Sequence, residues 1–280
     1  MFSGTYIEFI VESSLFLIKH QRKGFLLGQM SNRKVTSMSN YNKTNLDVYK
    51  TLDKNISHRD WYAHLFRWQH VLRIADIGMK ILDVGTGPGE LFETFYRNRY
   101  KPARFLGLDI RKKMIESNVE KWGPHGAEFK AMDVVLDEWD FKDDWDLITS
   151  FELLEHISHQ NVPIVLDKIY EIANEKTLIM ISTPCYNGKD IAANHIIDGE
   201  VGELTFDHLK SELEKRFEII EVFGTMASIA DYKHKLKEHP SLEYMFKKLH
   251  NYYDSNALSV IFAPLFPEQS RNCMWKVMKK

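Results

Sequence analysis

Ten consecutive residues, Ile81-Leu82-Asp83-Val84-Gly85-Thr86-Gly87-Pro88-Gly89-Glu90, run from an apolar stretch into three alternating glycines. Glycines at that spacing permit a tight turn and let a ligand lie against bare backbone, and a helical pattern opens at Glu90. Twenty residues after Gly89 stands Asp109, closing the apolar run Phe105-Leu106-Gly107-Leu108. A carboxylate placed there can accept hydrogen bonds from both hydroxyls of a ribose. Two familiar nucleotide sites are excluded by the residues themselves. A dinucleotide fingerprint needs a third glycine where Glu90 stands, and no phosphate-cradling lysine follows the turn.

The pattern Asp-Val-Gly-Thr-Gly-Pro-Gly with Asp109 behind it resembles the first two motifs of class I S-adenosylmethionine-dependent methyltransferases. Their adenosine carries no phosphate, so a carboxylate beside the glycine turn is tolerable. A third motif matches at Ala131-Met132-Asp133-Val134, where the family places an acid that accepts from the adenine amino group. The resemblance spans roughly residues 58–225. It implies S-adenosylmethionine as cofactor, held by Asp83, Gly85, Thr86, Gly87, Gly89, Asp109, Ile110, Asp133, Val134 and Phe151.

The acceptor is read from Ser150-Phe151-Glu152-Leu153-Leu154-Glu155-His156-Ile157. The Asn/Asp-Pro-Pro-aromatic tetrapeptide of base amino-methyltransferases is missing here, as is the Pro-Cys pair that cytosine carbon methylation needs. Cys185, after Ser182-Thr183-Pro184, reads as a small packed residue. The Leu-Glu-His form resembles two branches: small-molecule O-methyltransferases like those of ubiquinone biosynthesis, and metal-dependent 3′-terminal ribose 2′-O-methyltransferases of small RNA. The second implies a Mg²⁺ or Mn²⁺ site at Glu152, Glu155, His156 and His195, because positions i, i+3 and i+4 share a helical face. The first implies His156 as a metal-free base or orienting group. A small-molecule oxygen or nitrogen acceptor is the expected reading. A nucleic-acid acceptor is the alternative, and a cofactor-binding subunit without turnover is the rival outside enzymes.

These residues must be held at the ends of strands. Short, largely non-alternating apolar runs at 80–84, 104–108, 127–131, 146–151, 177–182, 217–223 and 258–262 read as strands. Helical spacing marks 58–75, 90–99, 112–122, 162–173 and 206–215. Together they predict an α/β fold: a Rossmann-like, doubly wound, mostly parallel seven-stranded sheet with its last strand antiparallel. A helical insertion at about 227–253, before the last strand, is either a lid or a structural elaboration. In the first helix Tyr62, His64 and Arg67 lie off the apolar stripe. They either cover the cofactor's methionine end or a planar acceptor, or form a solvated face. The aromatic and cationic tail at 264–275 either lines the acceptor pocket or closes the fold's edge.

Composition sets the outer limits. Residues 1–45 read as a flexible leader and 46–280 as the methyltransferase domain. The run at 6–18 is too short and too charged to span a bilayer. A net charge of −2 gives no global basic field for nucleic acid or an acidic membrane. Two distant cysteines rule out a disulfide framework and fit a reducing, cytoplasmic setting.

Overall fold

The computed structural model describes residues 59–186, 202–227 and 229–280. The expected leader, His195 and the side chain of Tyr62 lie outside them. Helix α1 (Arg59–Ile74) precedes β1 (Lys80–Val84), α2 (Glu90–Arg97), β2 (Arg104–Asp109), α3 (Lys112–Trp122) and β3 (Ala127–Ala131). Next come β4 (Leu147–Phe151), α4 (Val162–Ile172), β5 (Leu178–Tyr186), β6 (Leu204–Thr205), α5 (Phe206–Glu214) and β7 (Phe217–Met226). Three helices, α6 (Ile229–Glu238), α7 (Pro240–Leu249) and α8 (Ser255–Phe262), then lead to β8 (Asn272–Lys279).

The sheet runs β3-β2-β1-β4-β5-β8-β7, with the two-residue β6 beside β5. The β1–β2, β2–β3, β1–β4 and β4–β5 pairs are parallel, whereas β8 is antiparallel to both of its neighbours. Alternate residues feed two cores because both faces are covered. Leu82, Leu106, Ile148, Ile179 and Trp275 join α4 and α5 on one face, while Ile81, Phe105, Leu147, Met180 and Met274 join α1 and α2 on the other. The connections reverse direction between β1 and β4. A crevice therefore opens at the carboxyl ends of those strands, where such sheets bind ligands.

The antiparallel final strand is present, but it is not the one expected. Residues 258–262 belong to α8 instead. Asp254 caps that helix, its Oδ1 accepting the amides of Asn256 at 2.8 Å and Ala257 at 3.0 Å. A five-residue, mostly apolar run is too short for its periodicity to separate strand from helix. The strand lies in the tail at Asn272–Lys279, where Cys273, Trp275 and Val277 point into one core and Met274 into the other. The insertion before it is helical, as expected. Leu236, Leu258, Phe262 and Phe266 form its own apolar cluster, with Tyr232 stacked on Phe266 at 5.3 Å between ring centroids.

Where α1 meets β7, the ring of His70 packs on Phe223 at 4.5 Å between centroids and its Nε2 has no hydrogen-bond partner. Burial, helped by the Lys276 charge, lowers its pKa to about 4. The unfolded chain binds a proton near pH 6.5 that the fold rejects, so stability falls as pH drops from 6.5 toward 4. We expect His70→Phe, which keeps the ring contact, to remove on the order of 2 kcal/mol of that acid loss. Melting curves of both proteins at pH 7 and pH 4.5 check this; parallel slopes would refute it.

Candidate active site

The glycine turn is built where β1 ends. Gly85, Gly87 and Gly89 have φ of 81°, 55° and 76°, a left-handed conformation that side-chain-bearing residues resist. The turn is pinned to β2, since the amides of Gly85 and Thr86 both donate to the Leu108 carbonyl at 2.8 Å. From α3, Asn118 Nδ2 donates to the Gly87 carbonyl at 2.8 Å. On the bare side of Gly87 an added Cβ would meet only the Arg111 side chain, with Nη2 at 3.6 Å.

Asp109 closes β2 beside the turn and accepts the Gly87 amide on Oδ2 at 3.0 Å. Burial alone would raise its pKa, but the Arg111 guanidinium, the Arg111 amide and the Gly87 amide hold the carboxyl below the usual range. Ile110, beside it, is 66% exposed, an apolar surface suited to a planar base. Asp83 lies inside the sheet, its Oδ1 accepting from Thr149 Oγ1 at 2.7 Å. Burial pushes its pKa up to about 6 against that donor.

At the end of β3, Asp133 Oδ1 accepts the amides of Val135 at 2.9 Å and Leu136 at 3.1 Å. Lys168 holds this loop, donating to the carbonyls of Val134, Val135 and Asp137 at 3.2, 2.7 and 2.8 Å. Phe151, at the end of β4, is buried under α1 against Trp68 and the Arg67 guanidinium.

Across the crevice, Glu152 has φ 52°, a left-handed conformation unusual for a residue with a side chain. Donors from three elements hold it. Arg67 Nη2 lies 3.0 Å from Oε1, Ser182 Oγ donates to Oε1 at 2.9 Å, and Asn272 Nδ2 donates to both oxygens at 2.9 and 3.0 Å. Asn272 is steadied in turn by Thr225 Oγ1, which donates to its Oδ1 at 2.6 Å. Glu155 is 4% exposed and accepts from Thr183 Oγ1 at 2.9 Å. Burial, reinforced by the Glu152 charge, pushes its pKa up to about 8.

A family model described as a methyltransferase domain matches residues 59–263. The chain belongs to this methyltransferase family. The matched residues make up most of the chain. A probable fatty acid methyltransferase of Pseudomonas putida is 24% identical over 231 residues, 81% of this chain. The chain spans 55% of that relative's length. A solved S-adenosylmethionine-dependent methyltransferase of Mesorhizobium loti shares the fold at TM-score 0.53 and 15% identity, over 79% of this chain and 100% of that one. Phosphoethanolamine N-methyltransferase 2 of Haemonchus contortus, solved with S-adenosyl-L-methionine, gives 0.53 at 13% identity, over 76% of this chain and 52% of that one.

Within the methyltransferase the expected metal face does not form. Glu152 precedes the short 3₁₀ turn at Leu154–His156 in a left-handed conformation, so it shares no helical face with Glu155 and His156. Its carboxylate is held by Arg67, Ser182 and Asn272. The His156 side chain is 59% exposed, with Nε2 3.9 Å from Glu155 Oε1. Among the described residues no three His, Cys, Asp or Glu side chains converge as metal ligands do. His195, the fourth expected ligand, lies outside the described residues.

Sequence reasoning missed Asn272, Ser182 and Thr183 as partners of Glu152 and Glu155, and Lys168 as the clamp on the loop after β3. Asn272 stands 120 positions from Glu152 and carries no local motif. The pair Cys185 and Cys273 are buried free thiols, in keeping with a packing role. No helix of the described residues is long and apolar enough to cross a membrane.

Proposed function

We propose that this methyltransferase carries a methyl group from S-adenosylmethionine to an oxygen or nitrogen of a small molecule. The observation carrying the cofactor reading is Asp109 beside the bare Gly87 turn, with Ile110 open next to them. In this reading Gly85, Thr86, Gly87 and Gly89 line the methionine side, and Asp109 takes the ribose diol. Ile110 and Val134 enclose the adenine and Asp133 accepts its amino group, while Asp83 and Phe151 back the site from within. Bound cofactor supplies a methyl group on a sulfonium, which is already activated. The chain's own work is then to align the acceptor, exclude water and, where needed, take a proton.

His156, at the mouth of the β4 turn, is the base in this reading. The inserted helices α6 and α7 serve as a cover, tied to the approach of β8 by Arg271 Nε, 3.0 Å from Asp231 Oδ2. The name of the Pseudomonas putida relative supports a small acceptor, and two free thiols suit a reducing cytoplasm.

Labelled S-adenosylmethionine, incubated with the protein and a cell extract split into nucleic-acid and small-molecule fractions, tests this. Label is expected in small molecules; label in nucleic acid alone would overturn the acceptor class. Asp109→Ala is expected to weaken cofactor binding by on the order of 2 kcal/mol, about thirtyfold, through loss of the acceptor for two hydroxyls. Calorimetry with a folded variant that binds undiminished would refute the cofactor assignment.

A further inference from the structure

We propose that the Arg111 side chain is an internal competitor for the ribose seat, which the cofactor displaces on binding and which helps expel the product. The inference rests on the cofactor reading above and adds a residue that works against it. A carboxylate offers about four lone-pair sites, two on each oxygen. In Asp109 all four are used. Oδ1 accepts the Arg111 amide and Arg111 Nε, both at 2.9 Å. Oδ2 accepts the Gly87 amide at 3.0 Å and Arg111 Nη2 at 2.9 Å. A ribose diol brings one donor for each oxygen and finds neither free.

Which donors can leave is decided by what else holds them. The Gly87 amide sits in a turn pinned to β2 and to Asn118, and the Arg111 amide sits where α3 begins. Both are fixed by the backbone. The guanidinium is not: its side chain is 57% exposed, on a long flexible stem, and Asp109 is the partner it engages. Its departure frees one site on each oxygen, the pair that two vicinal hydroxyls need. The guanidinium edge, presenting two parallel donors, thus stands in for the diol. It also reaches into the space above Gly87, where a Cβ added to that glycine would meet Arg111 Nη2 and nothing else within 4 Å.

A site that is part-filled by its own side chain binds with an affinity reduced by the fraction left open. An exposed, bidentate pair of this kind sets that fraction at roughly one in three to one in ten. Substrate and product share the adenosine, so both are weakened alike, and Arg111 returning to Asp109 follows the spent cofactor out. The opposite possibility is that Arg111 merely orients Asp109. The two make opposite predictions for the same variant.

The test is calorimetric titration of the full chain with S-adenosylhomocysteine, comparing wild type, Arg111→Ala and Arg111→Met. Met keeps the aliphatic stem, so it controls for packing and folding. Both variants are expected to bind about three- to tenfold tighter, with slower release in a stopped-flow chase. Unchanged or weaker binding in the two folded variants overturns the competitor and leaves the cofactor site standing. Failure of all three proteins to bind removes the cofactor reading and this inference together. Asp109→Ala in the Arg111→Ala background must lose the gain; a retained gain also overturns the proposal.

Discussion

Glu155→Gln is expected to raise the stability of the fold by on the order of 3–4 kcal/mol above pH 8, and to leave it nearly unchanged near pH 4. The carboxyl is buried against the end of β5 and faces the negative charge of Glu152, so ionisation is penalised twice. Its folded-state pKa of about 8 lies above the ordinary value of 4.5. Between these values the folded chain keeps a proton that the unfolded chain releases, so stability is full below pH 4.5 and is lost as pH rises through 8. A glutamine carbonyl still accepts the Thr183 hydroxyl and cannot ionise. Chemical denaturation at pH 5 and pH 8.5 measures the effect. A Gln variant that tracks wild type at both values would show that Glu155 titrates like a surface carboxylate.

The second large effect is at Gly224, in β7, where the ladder with β8 shifts register between Gly224 and Met226. The chain after α8 presses against this strand. A Cβ on Gly224 would lie 1.9 Å from Ser270 Oγ and 2.5 Å from the Ala263 carbonyl oxygen. The hydroxyl can rotate only by abandoning the carbonyls of Ala263 and Phe266, to which it donates at 3.3 and 2.9 Å. The backbone oxygen cannot move without shifting the end of α8. We expect Gly224→Ala to destabilise by about 3 kcal/mol or more, as overpacking against backbone does. Adding Ser270→Gly should recover part of the loss and not all of it, because Ala263 remains. Full recovery, or a single variant as stable as wild type, would contradict the packing.

The glycine turn and the strands on either side of it were legible because their parts are local. Three glycines, a strand on each side and Asp109 fall within one strand-turn-helix-strand unit, and each residue type has a backbone or hydrogen-bonding reason to be there. The surroundings of Glu152 were not. Glu152 meets Arg67 from α1, Ser182 from β5 and Asn272 from β8, and nothing in the spacing of residues predicts a meeting of four distant elements. The metal expectation assumed a helix from Glu152 onward; the left-handed residue at that position breaks it. The last strand was misplaced by the same short-range ambiguity. Residues 258–262 satisfy a strand pattern, while Asp254, whose cap makes them a helix, lies outside the run.

The position of β8 has a consequence for how the protein is made. This strand lies between β5 and β7 although it follows both in the chain, and β8 is the neighbour through which β7 joins the sheet. During synthesis, β7 emerges roughly 3–10 s before β8 is complete, at ordinary elongation rates. Through that interval its ladder groups face water or a wrong partner, and the sheet ends at β5. The ring contact of Phe223 with His70 and the packing of Phe217, Ile219 and Val222 help a nascent chain keep β7 close to its place. Slow translation across α6 to α8 lengthens that exposure, and a chaperone that shields strand edges is most useful there.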